Sequence, residues 1–239
     1  MLCPLLINGF DVQARFDEAA VNDLFLPFLR ALTAMSRGRD GRLVAFLAAP
    51  PAAGKSTLAA FLEKLSRETD GLTPVQALGM DGFHFHQDYI LGHTVVRDGV
   101  EIPMKTVKGA PDTFDVMKLD AALRALKHGP VNWPFYDRRL HDVVEDAVPV
   151  TAPVVIVEGN WLLLNRPVWR DLPRDVSAFV TADESLLRGR LIARKERGGL
   201  SHDEALAFYD RCDGPNVRLC LSESLNADRT WRMTGEGRF

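Results

Sequence analysis

Thiols are scarce in this chain: Cys3, Cys212 and Cys220 are its only cysteines in 239 residues. The number is odd and no CxxC spacing occurs, so neither a disulfide framework nor a thiolate zinc site is expected. A surplus of one charge sign is missing too, with 29 Lys and Arg against 32 Asp and Glu and a net charge of −3. Bulk binding to nucleic acid, which needs a basic face, is therefore not expected. No apolar run reaches the roughly 18 residues of a membrane helix. Met1 to Phe10 has no basic segment ahead of its short apolar stretch, so no secretion signal is expected either. These absences point to no membrane, a reducing compartment and a cytoplasmic location. Internal repeats and low-complexity tracts are absent, and His86, His93, His128 and His202 show no metal-ligand spacing.

What is present is enough apolar material, 46% of residues, for one sizeable core. Val21, Leu24, Phe25, Phe28, Leu29 and Leu32 recur at helical spacing and predict a helix over 16–36, with Asp17 as N-cap. Apolar runs at Leu43–Leu47, Val75–Met80, Val154–Val157 and Val176–Thr181 read as buried strands, with further strands at Val131–Phe135 and Arg229–Met233. Helices are predicted over Lys55–Arg67, Val116–Lys127, Asp183–Arg197 and Ser201–Cys212, the last opened by a Ser201/Glu204 capping box. A hairpin is expected over 93–104 around Asp98-Gly99. Strands alternating with helices imply an α/β fold, a parallel sheet with helices on both faces, whose ligands sit beyond the carboxyl ends of the strands.

Ala49-Pro50-Pro51-Ala52-Ala53-Gly54-Lys55-Ser56-Thr57 lies between the first buried strand and a helix. Binding a polyphosphate there takes backbone N–H groups aimed inward, a glycine where Cβ would collide, a lysine for the β- and γ-phosphates and a hydroxyl for Mg²⁺. Ala53, Gly54, Lys55, Ser56 and Thr57 meet those needs, and ATP with Mg²⁺ is the expected pair. The full pattern begins with glycine, and Ala49 stands in that place; a left-handed backbone there would be costly for alanine.

Two acids end apolar strands. Asp81, in Met80-Asp81-Gly82-Phe83-His84, is placed to face a γ-phosphate across the sheet and to accept the proton of an attacking hydroxyl. Glu158 follows four β-branched residues, Val154-Val155-Ile156-Val157, where a carboxylate without a partner is costly, so it is expected to serve a metal or a substrate. Arg190, Arg194 and Arg197 fall at i, i+4 and i+7 and put guanidinium groups on one helical face.

Taken in order, these segments resemble the uridine kinase, pantothenate kinase and phosphoribulokinase group of P-loop kinases. The resemblance covers residues 43 to 200 and rests on Gly54-Lys55-Ser56-Thr57, Asp81-Gly82-Phe83, Lys108-Gly109-Ala110-Pro111-Asp112-Thr113-Phe114-Asp115, Pro134-Phe135-Tyr136-Asp137, Val157-Glu158-Gly159 and Arg190-Leu191-Ile192-Ala193-Arg194. It implies a P-loop NTPase-type sheet carrying an arginine-bearing lid near 185–200, in one domain spanning 1–239 with a helical extension over about 1–40. It further implies Lys55 and Asp81 as catalytic residues, Arg190 and Arg194 closing over ATP, and Ser56 with Glu158 near the metal. His84, Lys108, Tyr136 and His141 would line the acceptor, which could be a nucleoside, a pantothenate-like alcohol or a sugar. The partners implied are ATP and a small molecule, with a homodimer compatible with the family. The other class left open is a P-loop ATPase that works as a switch or assembly factor.

Overall fold

The computed structural model describes residues 1–7, 9–97 and 99–239. At its centre are strands β3 (Leu43–Ala48), β4 (Val75–Gly79), β9 (Val154–Gly159), β10 (Val176–Ala182) and β11 (Arg229–Met233), in the order β11-β10-β3-β9-β4. All four neighbouring pairs run parallel. Every residue of β3 and β9 is buried, which is why both read as unbroken apolar runs rather than alternating ones. Their side chains divide between two cores. Leu43, Ala45, Leu47, Val154 and Ile156 face one layer, and Val44, Phe46, Ala48, Val155 and Val157 face the other.

The first layer holds helices α1 (Glu18–Ala20) and α2 (Leu26–Ser36), joined by a π-helical turn at Val21–Phe25, together with α3 (Lys55–Glu68). Asp17 caps α1 by accepting from the Ala20 N–H, as its position before the apolar stripe suggests. The helical extension expected over about 1–40 is helical only from Glu18. Residues Leu2–Ile7 (β1) and Phe10–Arg15 (β2) instead form an antiparallel hairpin. Cys3, Leu5 and Ala14 point from it into the first core, and Phe16 stacks on Phe61 of α3 with ring centroids 4.1 Å apart. The chain's end closes over the same region, where Asp17 N–H donates to Gly237 O at 2.9 Å and Phe239 packs on Phe25. Gly237 has φ +64° and a Cβ there would sit 1.6 Å from Arg15 O, so only glycine fits.

The second layer holds α5 (Val116–Leu126), Trp133, and Trp161 to Leu164. Between β4 and α5 lie α4 (Gln87–Gly92) and an antiparallel hairpin of β5 (Thr94–Arg97) and β6 (Val100–Pro103). The hairpin expected over 93–104 is thus present; Asp98 of its turn lies outside the described residues, and Gly99 has φ +77°. A third hairpin, β7 (Asn132–Asp137) with β8 (Asp142–Pro149), covers the free edge of β4. Trp133 Nε1 donates to Gly79 O at 2.9 Å, and Gln76 Nε2 donates to Pro149 O at 2.9 Å.

Helices α6 (Glu184–Arg197), α7 (His202–Phe208) and α8 (Gly214–Ser222) complete the chain, with a π-helical turn at Tyr209–Asp213 between the last two. The capping box forms as its sequence predicts, with Ser201 and Glu204 each satisfying the other's backbone N–H. No helix among the described residues is long and apolar enough to cross a membrane.

Candidate active site

The carboxyl ends of β3, β4 and β9 converge. Register places Glu158 of β9 beside Leu47 on one side and Gly79 on the other. The loop after β3 and the acid after β4 are therefore its immediate neighbours. Gly79 and Glu158 are close enough that a Cβ at Gly79 would rest in ordinary contact with Glu158 Oε1, at 3.7 Å.

After β3 the chain turns through Pro50 to Gly54 and enters α3 at Lys55. Gly54 caps the helix at φ +80° with no side chain over the first turn, which leaves its N–H groups open to an anion. The strain expected at Ala49 is not there, since Ala49 does not have a positive φ and is fully buried. It falls on Ala52, whose φ is +65°. A left-handed alanine costs about 1–2 kcal/mol and persists where its surroundings hold it. Here Arg190 does so in part, donating from Nη1 to Ala52 O at 3.1 Å.

Ser56 Oγ donates to Glu158 Oε1 at 2.7 Å. Glu158 is only 9% exposed. Burial pushes its carboxyl above the usual range, and the negative charge of Asp81 adds to that. Lys55, the Ser56 hydroxyl and Arg138 pull the other way without cancelling it.

Asp81 lies in a 3₁₀ turn, Met80–Phe83, directly after β4. Gly82 in that turn must be glycine, because a Cβ would meet Pro134 O of β7 at 2.2 Å. The close approach pins the turn against β7. Burial alone would raise the Asp81 carboxyl, but the net shift is downward through His84, Lys55, Arg138 and Arg194. Burial keeps the His84 imidazole below its ordinary value, so near neutral pH the work falls to the lysine and the two arginines. Asp81 is thus held as a carboxylate, with Arg138 Nη2 3.4 Å from its Oδ2.

The other expected site residues are distributed as follows. His84 is half-buried, its Nδ1 paired with Thr113 O at 3.1 Å and its ring stacked on Phe114. Lys108 Nζ donates to Gln87 Oε1 at 2.5 Å and to His141 O at 3.2 Å, and sits 5.0 Å from the Tyr136 ring centroid. His141 is exposed with φ +56°, and it is its carbonyl that meets Lys108. Arg194 is exposed on α6, and its charge acts on Asp81.

A cavity of about 460 Å³ opens beside this cluster. Ser56, Asp81, Glu158, Tyr136 and Arg138 are in its wall; His84, Lys108 and His141 are not. Arg138 is the charged wall residue that the sequence did not single out. It lies in the turn just past the end of β7, where no strand period marks a residue as facing the site.

No family model matches the chain. A protein of Escherichia coli named "Uncharacterized protein YggC" is 44% identical over 242 residues, covering 100% of this chain and 98% of that one. A Schizosaccharomyces pombe protein named "Putative uridine kinase C227.14" is 33% identical over 198 residues, or 78% of this chain and 81% of that one. The chain belongs to the uridine kinase, pantothenate kinase and phosphoribulokinase group of P-loop kinases. A solved structure of the group agrees in fold. The crystal structure described as a "putative fructose transport system kinase" from Silicibacter sp. superposes with a TM-score of 0.73 at 33% identity, over 84% of this chain and 98% of that one. The loop after the central β3, Asp81 just after β4 and Glu158 near the end of β9 follow one another along the chain in the order read from the sequence.

Proposed function

We propose that this chain is a phosphotransferase that moves the γ-phosphate of ATP to a hydroxyl of a small molecule. The observation that carries the reading is the convergence at three strand ends: Ser56 on Glu158 at 2.7 Å, Lys55 within the field of both acids, and Asp81 held ionised on the wall of a cavity. A switch ATPase needs a positioned water, whereas a cavity of about 460 Å³ beside the base suits an organic acceptor.

In this reading Lys55 and the N–H groups at the start of α3 hold the phosphates. Asp81 takes the proton of the acceptor hydroxyl as its oxygen forms a bond to the γ-phosphorus. The bond from that phosphorus to the bridging oxygen breaks, and ADP leaves. Arg194, on the exposed face of α6, supplies positive charge as a lid, while Arg190 holds the loop from behind. A recess of about 110 Å³ beside Gly54, Thr57, Arg190 and Met233 suits the nucleoside end of ATP.

Among the described residues no three His, Cys, Asp or Glu side chains gather as a metal site. The adjacent Ser56 hydroxyl and Glu158 carboxylate fit Mg²⁺, which takes few protein oxygens and shares the rest between phosphate and water. Bound there, Mg²⁺ would neutralise charge on the transferred phosphate.

The test is ADP release with and without a panel of nucleosides, pantothenate-like alcohols and sugars. Release that depends on one acceptor, on Mg²⁺ and on Lys55 supports the reading. Release that ignores every alcohol favours the switch ATPase.

A further inference from the structure

The cavity beside Asp81 has two unlike ends. At one end are Ser56, Asp81, Glu158, Tyr136 and Arg138. At the other, the walls come from β1, α3, β4 and the β7–β8 hairpin: Leu6, Ile7, Ala60, Ala77, Phe135 and Val148. Two residues of that far region, Glu63 and Gln76, are polar, and both are largely engaged. Glu63 Oε2 accepts the Ala77 N–H at 2.9 Å while its Oε1 holds Arg67 at 2.6 Å. Gln76 donates to Pro149 O at 2.9 Å and accepts from Thr151 N–H at 3.0 Å and Ala152 N–H at 3.3 Å. The indole N–H of Trp133 is likewise spent on Gly79 O at 2.9 Å. Among the described residues, a polar group of a ligand reaching this end would find few open partners, the second N–H of Gln76 and the spare lone pairs of Glu63, and would give up hydrogen bonds to water. An apolar group would only gain.

Resting on the kinase reading above, we infer that the acceptor is an amphipathic alcohol: its hydroxyl meets Asp81, and an aliphatic or aromatic arm lies along Leu6, Ile7, Ala60, Phe135 and Val148. The N-terminal hairpin is then a specificity element. It lies outside the stretch that carries the phosphate-transfer motifs, yet it closes the far wall of the cavity that holds their base. Leu6 is 70% exposed, so its side chain is available for an apolar arm to cover. The size agrees, since about 460 Å³ exceeds what a three-carbon alcohol fills.

The experiment uses the full chain with ATP, Mg²⁺ and straight-chain primary alcohols from ethanol to hexanol, with glycerol as the polar control. Phosphate transfer is read as acceptor-dependent ADP release. Each added methylene buried in the cavity should raise kcat/KM about fourfold until the arm fills it. Ala60→Leu puts an isobutyl group where the arm would lie, on a helix that tolerates leucine. It should flatten the series and leave the KM for ATP unchanged. Leu6→Ser, on an exposed strand position, should lower the gain for the longer alcohols several-fold and leave the thermal midpoint near wild type.

The proposal is overturned if glycerol is preferred to hexanol, if the series is flat in the wild type, if no member accepts phosphate, or if Ala60→Leu and Leu6→Ser both leave the slope intact. Binding of a fluorescent ATP analogue in the same samples separates the two readings. Lys55-dependent binding without any preference for apolar arms sinks this inference alone. Absence of nucleotide binding sinks the kinase reading beneath it.

Discussion

Replacing Asp81 by asparagine separates the chemistry of this site from its architecture. The substitution keeps the shape of the side chain and removes its charge. It breaks an ion pair with Arg138 at 3.4 Å in which the side chains are 46% and 40% exposed. Such a pair is worth about 0–1 kcal/mol. For a chain of this length that is a shift of about 4 °C or less in thermal midpoint. Removing the carboxylate should not weaken ATP, because a negative charge facing the γ-phosphate opposes binding; the KM for ATP should hold or fall. The catalytic loss should be far larger. A positioned general base contributes about 10²–10⁴-fold, equivalent to about 2.7–5.5 kcal/mol of transition-state stabilisation. Steady-state kinetics with an acceptor that the wild type turns over, alongside a thermal melt, reads all three quantities. A kcat within about threefold of wild type, or a loss that appears as a higher KM for ATP, refutes the assignment of Asp81 as base.

Further outcomes follow from the same structure. Lys55→Ala should abolish transfer and leave the melt unchanged, since Lys55 carries charge at the first position of α3 rather than packing in the core; transfer near wild type in a coupled assay would remove the phosphate loop from the account. Tyr136→Ala should raise the KM for the acceptor and spare that for ATP, because Tyr136 lies in the cavity wall; the opposite pattern would put the acceptor elsewhere. Burial pushes the Cys212 thiol up to about 11 and the Cys220 thiol to about 12, so iodoacetamide at pH 8 should label neither in the native chain and both in denaturant; rapid native labelling would contradict their burial. Burial would raise Asp175, but the Val44 N–H, Lys127 and Arg39 outweigh it and hold the carboxyl below its ordinary 3.8. Its contribution to stability is therefore present above pH 3.8 and is lost as pH falls through the depressed value. Asp175→Asn should cost about 1–3 kcal/mol at pH 7 by urea denaturation, with the difference shrinking toward pH 2; an equal difference at both pH values would contradict it.

The parts of this molecule that were legible in sequence are those where one local rule governs. Leu43–Ala48 and Val154–Gly159 are buried on both faces, so their apolar runs announce central parallel strands. Gly54-Lys55-Ser56, Asp81 after β4 and Glu158 near the end of β9 declare themselves by position at strand ends. The N-terminal hairpin was not legible. Its burial alternates through Cys3 and Leu5, but Leu2, Leu6 and Phe10 are apolar and exposed, which blurs the period of two. Strand β8 failed to stand out for a related reason: most of Asp142–Pro149 is solvated, and it is a strand because it pairs with β7. Helix α8 is short, with glycine and proline in its first turn. At the site, the sequence put the cost of a missing glycine on Ala49, whereas the left-handed residue is Ala52. Which loop residue takes that conformation depends on contacts such as that from Arg190, 138 residues away in the chain, and no local pattern encodes it. Nor could sequence spacing show that Glu63 and Gln76 are drawn into bonds with Arg67 and with the backbone of Ala77, Pro149 and Thr151, which leaves the apolar side chains to set the character of that end of the cavity.

The most direct test of the account follows the phosphate itself. The chain is incubated with ATP labelled at the γ-phosphorus, Mg²⁺ and a mixture of small alcohols, and the labelled products are separated. The account predicts label in an organic phosphate ester, formed by the wild type and not by Lys55→Ala or Asp81→Asn. Label recovered only as inorganic phosphate, at a rate indifferent to the alcohols, would contradict it.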